Sequence, residues 1–245
     1  MTDAAATLAE VSVSVARSAP RAATALGLAV ATKGAVPRQL GLGRSALEMH
    51  GFEGESGQTL AVPTGTGVVI AVGIGDRDEV DAAGLRSAAA AFARRASKHS
   101  ILATNLADLD GVDARAAGQA VTEGVLLASY RYVGLKGADD AGSKLRSLTH
   151  VVGAKRSKGV EQGAASGRTT AGAASLAREL ANTPPTYLNA RDLADRAVEI
   201  GEAAGLEVEV FNKDALEQLG CGGLLGVNRG SIEPPRMVKL TYSPR

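Results

Sequence analysis

The chain has 245 residues, 45% hydrophobic and 22% charged, proportions ordinary for a folded globular protein and a length suited to one large domain or one complete domain with part of another. A formal net charge of +1 provides no global field to attract nucleic acid or anionic lipid, and no apolar run is long enough to span a bilayer. Cys221 is the sole cysteine, which excludes a disulfide framework within the chain and points to a reducing compartment. Met1 to Glu10 has neither a basic start nor an apolar core, so no secretory signal is read there, and a soluble, cytoplasmic protein is expected. With no Trp, three Phe and four Tyr, the core must be built from aliphatic side chains, alanine and glycine.

Val11, Val13 and Val15 alternate with Ser12 and Ser14, the period of a half-buried strand. Ala25 to Ala31 is apolar apart from Gly27 and fits a strand covered on both faces. Thr59 to Val62 and Val68 to Val72 flank Pro63-Thr64-Gly65-Thr66-Gly67, which reads as a hairpin turn. Leu85, Ala89, Phe92 and Ala96 then fall at helical spacing. Ile101 to Thr104 reads as a strand, Val121, Gly124, Val125 and Ala128 as one face of a helix, and Leu148 to Val152 as a closing strand. Strands and helices mixed in this order predict an α/β domain over residues 1–153.

Lys155 to Arg168 is polar and rich in Gly and Ser, a linker or the exposed start of a long helix. Ala173, Leu176 and Leu180 share a stripe that predicts helix from Glu161 to Ala181, so residues 154–182 are read as linker and connecting helix. Pro184-Pro185 ends that helix, since neither proline offers an amide donor. Asn189, with Asp192 three residues on, predicts an N-cap for a helix whose apolar face is Leu193, Ala197, Ile200 and Ala204. Val208 to Phe211 and Arg236 to Tyr242 are expected as two parallel strands joined through a short helix, with Leu224 and Leu225 packed beneath the last. So few elements cannot bury both faces of a parallel sheet, and more sheet is expected beside them.

Motifs for other chemistry fail on spacing. There is no His-Glu-x-x-His, and His50, His99 and His150 stand far apart, as surface or hydrogen-bonded histidines rather than ligands. Asp76, Asp78 and Asp81, and again Asp108, Asp110 and Asp113, lack the glycine and terminal glutamate of a calcium loop and read as solvated turns or helix starts. Gly41-Leu42-Gly43 and Gly73-Ile74-Gly75 miss the third glycine of a dinucleotide fingerprint. Gly43-Arg44-Ser45-Ala46-Leu47 lacks the last glycine of a nucleophile elbow. The basic clusters Arg94-Arg95-Lys98 and Lys155-Arg156-Lys158 have no aromatics among them and read as solvated faces. Cys221 has no histidine near it in sequence and reads as a buried small apolar residue.

Three segments carry a resemblance. Glu123-Gly124-Val125-Leu126-Leu127-Ala128-Ser129-Tyr130-Arg131-Tyr132 is similar to a helix end late in the amino-terminal domain of leucyl (cytosol) aminopeptidases. Ala177-Arg178-Glu179-Leu180-Ala181-Asn182-Thr183-Pro184-Pro185 resembles the segment that opens their catalytic domain. Gly220-Cys221-Gly222-Gly223-Leu224-Leu225-Gly226-Val227-Asn228-Arg229-Gly230-Ser231, followed by Pro234 to Tyr242, resembles the glycine-rich run and strand that precede their active-site lysine. Order and spacing agree with the family, and the likeness is dense from Gly118 to Pro244.

The resemblance implies a macro-domain-like mixed sheet flanked by helices, followed over residues 183–245 by the start of an α/β zinc-peptidase-like domain. It implies a metal-dependent exopeptidase that uses two divalent ions, manganese or zinc, to remove amino-terminal residues from peptides, assembled as a hexamer. Composition, as above, adds the expectation of a cytoplasmic protein without membrane or nucleic-acid partners. The family's metal ligands lie in a lysine-bearing strand and loop and in an Asn-Thr-Asp-Ala-Glu-Gly-Arg stretch, beyond the matched part. Asn182-Thr183 is followed by Pro184 and is not that stretch. No catalytic, substrate-binding or metal residue is therefore carried over, and the glycines of the 220–230 run and Pro184-Pro185 are expected only to shape turns. The rival expectation is a non-catalytic macro-like module for assembly or ligand binding.

Overall fold

A computed structural model describes residues 10–135 and 142–244; most of the amino-terminal stretch screened for a signal lies outside them. The chain divides into two compact units, Met1–Glu179 and Leu180–Arg245. The first is a six-stranded sheet in the order β1-β6-β5-β2-β4-β3. The strands are β1 (Ser12–Ala16), β2 (Ala25–Val30), β3 (Thr59–Pro63), β4 (Val68–Gly73), β5 (Ile101–Thr104) and β6 (Ser147–Val151). All pairs are parallel except the β3–β4 hairpin. This mostly parallel sheet, flanked by helices, bears out the expected α/β class.

Strand alternation sorts the core into two layers. On β2 and β4, Ala25, Ala29, Ile70 and Val72 face the helices α2 (Ala82–Arg95) and α3 (Ala114–Ser129), with Phe92, Leu85 and Val121 packed over them. Leu28, Val30, Val69 and Ala71 face the opposite side, under Leu40, Phe52 and Leu47 of the short helix α1 (Arg44–Met49). Gly27 interrupts the apolar run because a Cβ there would stand 2.7 Å from the Phe92 ring.

The helix α4 runs from Ala154 to Asn182, seven residues earlier than its apolar stripe suggests. Its buried positions include Val160, Gly163, Gly167, Ala171 and Ser175, a small-residue line that packs on α3. A Cβ on Gly163 would collide with the Arg115 carbonyl, and one on Gly118 with that of Val160, so the two backbones touch. The polar Gly/Ser composition that resembles a linker is thus the packing surface itself. Within it, Arg156 is no solvated cation: it donates to the Ala107 carbonyl at 3.2 Å and the Val112 carbonyl at 2.9 Å.

The second unit holds α5 (Ala190–Ala203), α6 (Lys213–Gln218), α7 (Gly222–Asn228) and two strands, β7 (Glu207–Phe211) and β8 (Met237–Thr241). Asn189 and Asp192 form the expected capping box. The buried side of α5 is Ala194 and Gly201, one residue round from the expected stripe, and Leu193 is 47% exposed. The Gly201 backbone lies against the Val208 side chain, an approach that larger residues on that face would block. β7 and β8 pair antiparallel, not parallel: the connection through α6 and α7 brings the chain back in the opposite direction beside β7. Leu224, expected beneath β8, is 46% exposed.

Candidate functional site

Among the described residues no group of three or more His, Cys, Asp or Glu is placed to hold a metal ion. Of the aspartates singled out in sequence, three cap helices and a fourth lies near an arginine. Asp76, Asp81 and Asp113 accept backbone amides at helix starts, and Asp110 lies 3.9 Å from Arg77. His50 is exposed and His99 half-buried. Cys221 is half-buried at the start of α7, not fully buried as expected. Gly222, Gly223 and Gly226 lie in α7 rather than in a turn, and nothing stands within 4 Å of where a Cβ would be on them or on Gly230; only Gly220, at φ 70°, needs its glycine for backbone conformation.

The segment from Glu123 to Tyr132 organises a polar junction that its sequence did not reveal. Glu123, at 7% exposure, takes hydrogen bonds from Arg86 of α2 at 2.6 Å, Gln119 of α3 at 2.8 Å and Thr170 of α4 at 2.6 Å. Burial favours the neutral acid, but the Thr170, Gln119 and Arg86 hydrogen bonds and the Arg86 charge outweigh it and hold the carboxyl below its usual range. The neighbouring Gly124 lets the Arg86 carbonyl approach. Tyr130 donates to Glu179 at 3.0 Å, and Arg178 stands 5.8 Å from the Tyr130 ring centroid, fastening the end of α3 to the end of α4. One layer in, His150 is wholly buried, with Nε2 2.9 Å from the Thr122 hydroxyl and Nδ1 without a partner. Burial lowers its pKa to about 4 and keeps it neutral. The Glu123 and Tyr130 contacts join α2, α3 and α4, and the His150 contact joins α3 to β6.

A cavity of about 600 Å³ does open at the carboxyl ends of the parallel strands. Leu26 and Leu28 of β2 and Val151 of β6 line it, with Arg17, Gln39, Asn105, Asp108 and the start of α4 around them. From sequence Asp108 reads as a solvated turn or helix start, and no motif marks Arg17 or Asn105.

Comparison with known proteins sets the chain among peptidases of one kind. Residues 8–139 match the description "Cytosol aminopeptidase family, N-terminal domain" and residues 175–245 match "Cytosol aminopeptidase family, catalytic domain". The chain belongs to the cytosol aminopeptidase family. A probable cytosol aminopeptidase of Mycobacterium leprae is 37% identical over 203 residues, covering 82% of this chain and 38% of the relative. One from Mycobacterium ulcerans is 41% identical over 177 residues, covering 71% of this chain and 33% of its own length. The chain thus spans about two-fifths or less of the curated relatives it matches. Among solved structures, the bottromycin maturation enzyme BotP superposes with a TM-score of 0.74 at 35% identity over 90% of this chain and 46% of that one. A mutant tomato leucine aminopeptidase, 20% identical, shares the fold at a TM-score of 0.79, covering 93% of this chain and 50% of its own.

Proposed function

We propose that residues 1–245 form the amino-terminal part of a two-metal leucyl aminopeptidase and hold none of its catalytic groups. The observation that carries this is the ordered match of both family halves, the catalytic one restricted to residues 175–245. Two divalent ions, manganese or zinc, would polarise the scissile carbonyl and activate a water in the complete enzyme. BotP solved with manganese favours manganese. The described residues offer no donor set for either ion, so no step of peptide hydrolysis is assigned to them. Their work is to build a macro-like domain and the first elements of the peptidase domain. Peptides with a free amino terminus are the substrates, the complete enzyme is a cytoplasmic hexamer, and residues 1–153, 154–182 and 183–245 divide as domain, connecting helix and incomplete catalytic domain.

The test is turnover. Purified 1–245 is incubated with leucine p-nitroanilide and manganese or zinc, beside a full-length relative. No metal-dependent release above the blank is expected from 1–245. Turnover would place the catalytic groups within this chain and overturn the proposal.

A further inference from the structure

Strands β1, β6, β5, β2 and β4 are parallel, so their carboxyl ends share one edge of the sheet. From β2 the chain moves to β3 and β4 on one side; from β4 it crosses to β5 and β6 on the other. The loops leaving β2 and β5 therefore diverge, and such a divergence opens the crevice in which open α/β sheets hold small molecules. The 600 Å³ cavity lies there, and its size is that of a small-molecule site.

Two of its polar groups are fixed by the backbone. Asn105 Oδ1 accepts the Ala29 amide at 2.8 Å, which leaves the Asn105 NH2 group to offer. Asp108 Oδ1 accepts the Gly153 amide at 2.9 Å, which leaves Oδ2. Arg17, exposed, stands at the rim and forms no ion pair among the described residues, while Leu26, Leu28 and Val151 supply an apolar wall. The described lining has no aromatic ring on which a nucleobase would stack. The start of α4 already faces the Asp108 carboxylate, which opposes a phosphate at that helix end.

We propose that this cavity binds a small zwitterion with an aliphatic side chain, a free α-amino acid or a short peptide. Asp108 Oδ2 takes the ammonium group, Arg17 the carboxylate, and the Asn105 NH2 group a carboxylate or peptide carbonyl oxygen. The side chain lies on Leu26, Leu28 and Val151. One fixed anion and one cation select a ligand that carries both charges. The inference needs only the cavity, and its test involves no turnover, so it can fail while the peptidase reading stands.

Isothermal titration calorimetry on the whole chain tests it, with L-leucine and leucyl-leucine as ligands and acetyl-leucine amide and adenosine monophosphate as controls. Saturable binding of a zwitterion is expected, and the tighter of the two tells whether the occupant is an amino acid or a peptide. Asp108→Asn keeps the acceptor for Gly153 but turns a donor toward the ammonium; it and Arg17→Gln should each weaken binding about tenfold or more. Circular dichroism checks that each variant is folded; if Asp108→Asn is not, the exposed Arg17→Gln decides. The proposal is overturned if neither zwitterion saturates at millimolar concentration, if the uncharged amide or the nucleotide binds as tightly, or if the folded variants keep full affinity.

Discussion

His150 sits one residue from the carboxyl end of β6, with no exposed surface and one ring nitrogen unpartnered. Its folded pKa of about 4 lies below the ordinary 6.5, so the unfolded chain binds the extra proton first. The stability this neutral ring contributes is complete above pH 6.5 and is lost as pH falls toward 4, a loss of about 3 kcal/mol across that window. Thermal melts between pH 7 and 4 should show this decline, and His150→Gln should flatten it; an unchanged slope would show that the ring is not held neutral. Glu123 acts in a lower window. Its folded pKa is depressed, so its contribution is present above the usual 4.5 and disappears as pH falls further. Glu123→Ala strips partners from Arg86, Gln119 and Thr170 at once, and a loss of about 2–4 kcal/mol in urea denaturation is expected.

At the scale of elements, the α3–α4 contact separates two kinds of glycine within one helix. Gly163 lies against the Arg115 carbonyl, whereas Gly172 has nothing within 4 Å of its missing Cβ. Gly163→Ala must push two helices apart and should cost about 1–3 kcal/mol. Gly172→Ala should stabilise α4 by up to about 1 kcal/mol, through helix propensity alone. Chemical denaturation of the two variants reads the difference in sign, and two changes of the same sign would contradict the tight packing. The contrast also shows what sequence could yield. The β1 alternation, the β3–β4 hairpin and the Asn189 cap were legible because each depends on neighbouring residues. The first two turns of α4 were not, because a helix that buries glycine carries no hydrophobic stripe. The direction of β7 against β8, and the shift of α5 by one residue, depend on where the chain returns in space. The cavity was illegible for a related reason: Arg17, Asn105 and Asp108 form no motif and meet only through the order of the strands.

For the molecule as a whole, the two units differ in how much they bury. The first has a two-layer core around Phe92, Leu47 and Ile70, whereas the buried hydrophobics of the second, among the described residues, are Ala194 and Leu216. Hydrogen exchange followed by mass spectrometry should find β2 and β5 strongly protected and β7 and β8 exchanging much faster. Equal protection in a dilute monomer would mean that the second unit closes a core of its own. A fragment of residues 1–182 should also melt higher and more sharply than one of 1–153, since Val160, Ala164 and Ala171 of α4 are buried in the first unit.

The pairing of β1 with β6 has a consequence for synthesis. Ser14 meets Thr149 across 135 residues of chain, so β1 must wait for β6, made long after it, before it finds its neighbour. At ribosomal speeds of about 5–20 residues per second, the nascent strand waits on the order of ten seconds with its edge open. Ser12 and Ser14 give that waiting strand one hydrophilic side, while Val13 and Val15 on the other, continued by Val11, remain to be kept from premature partners.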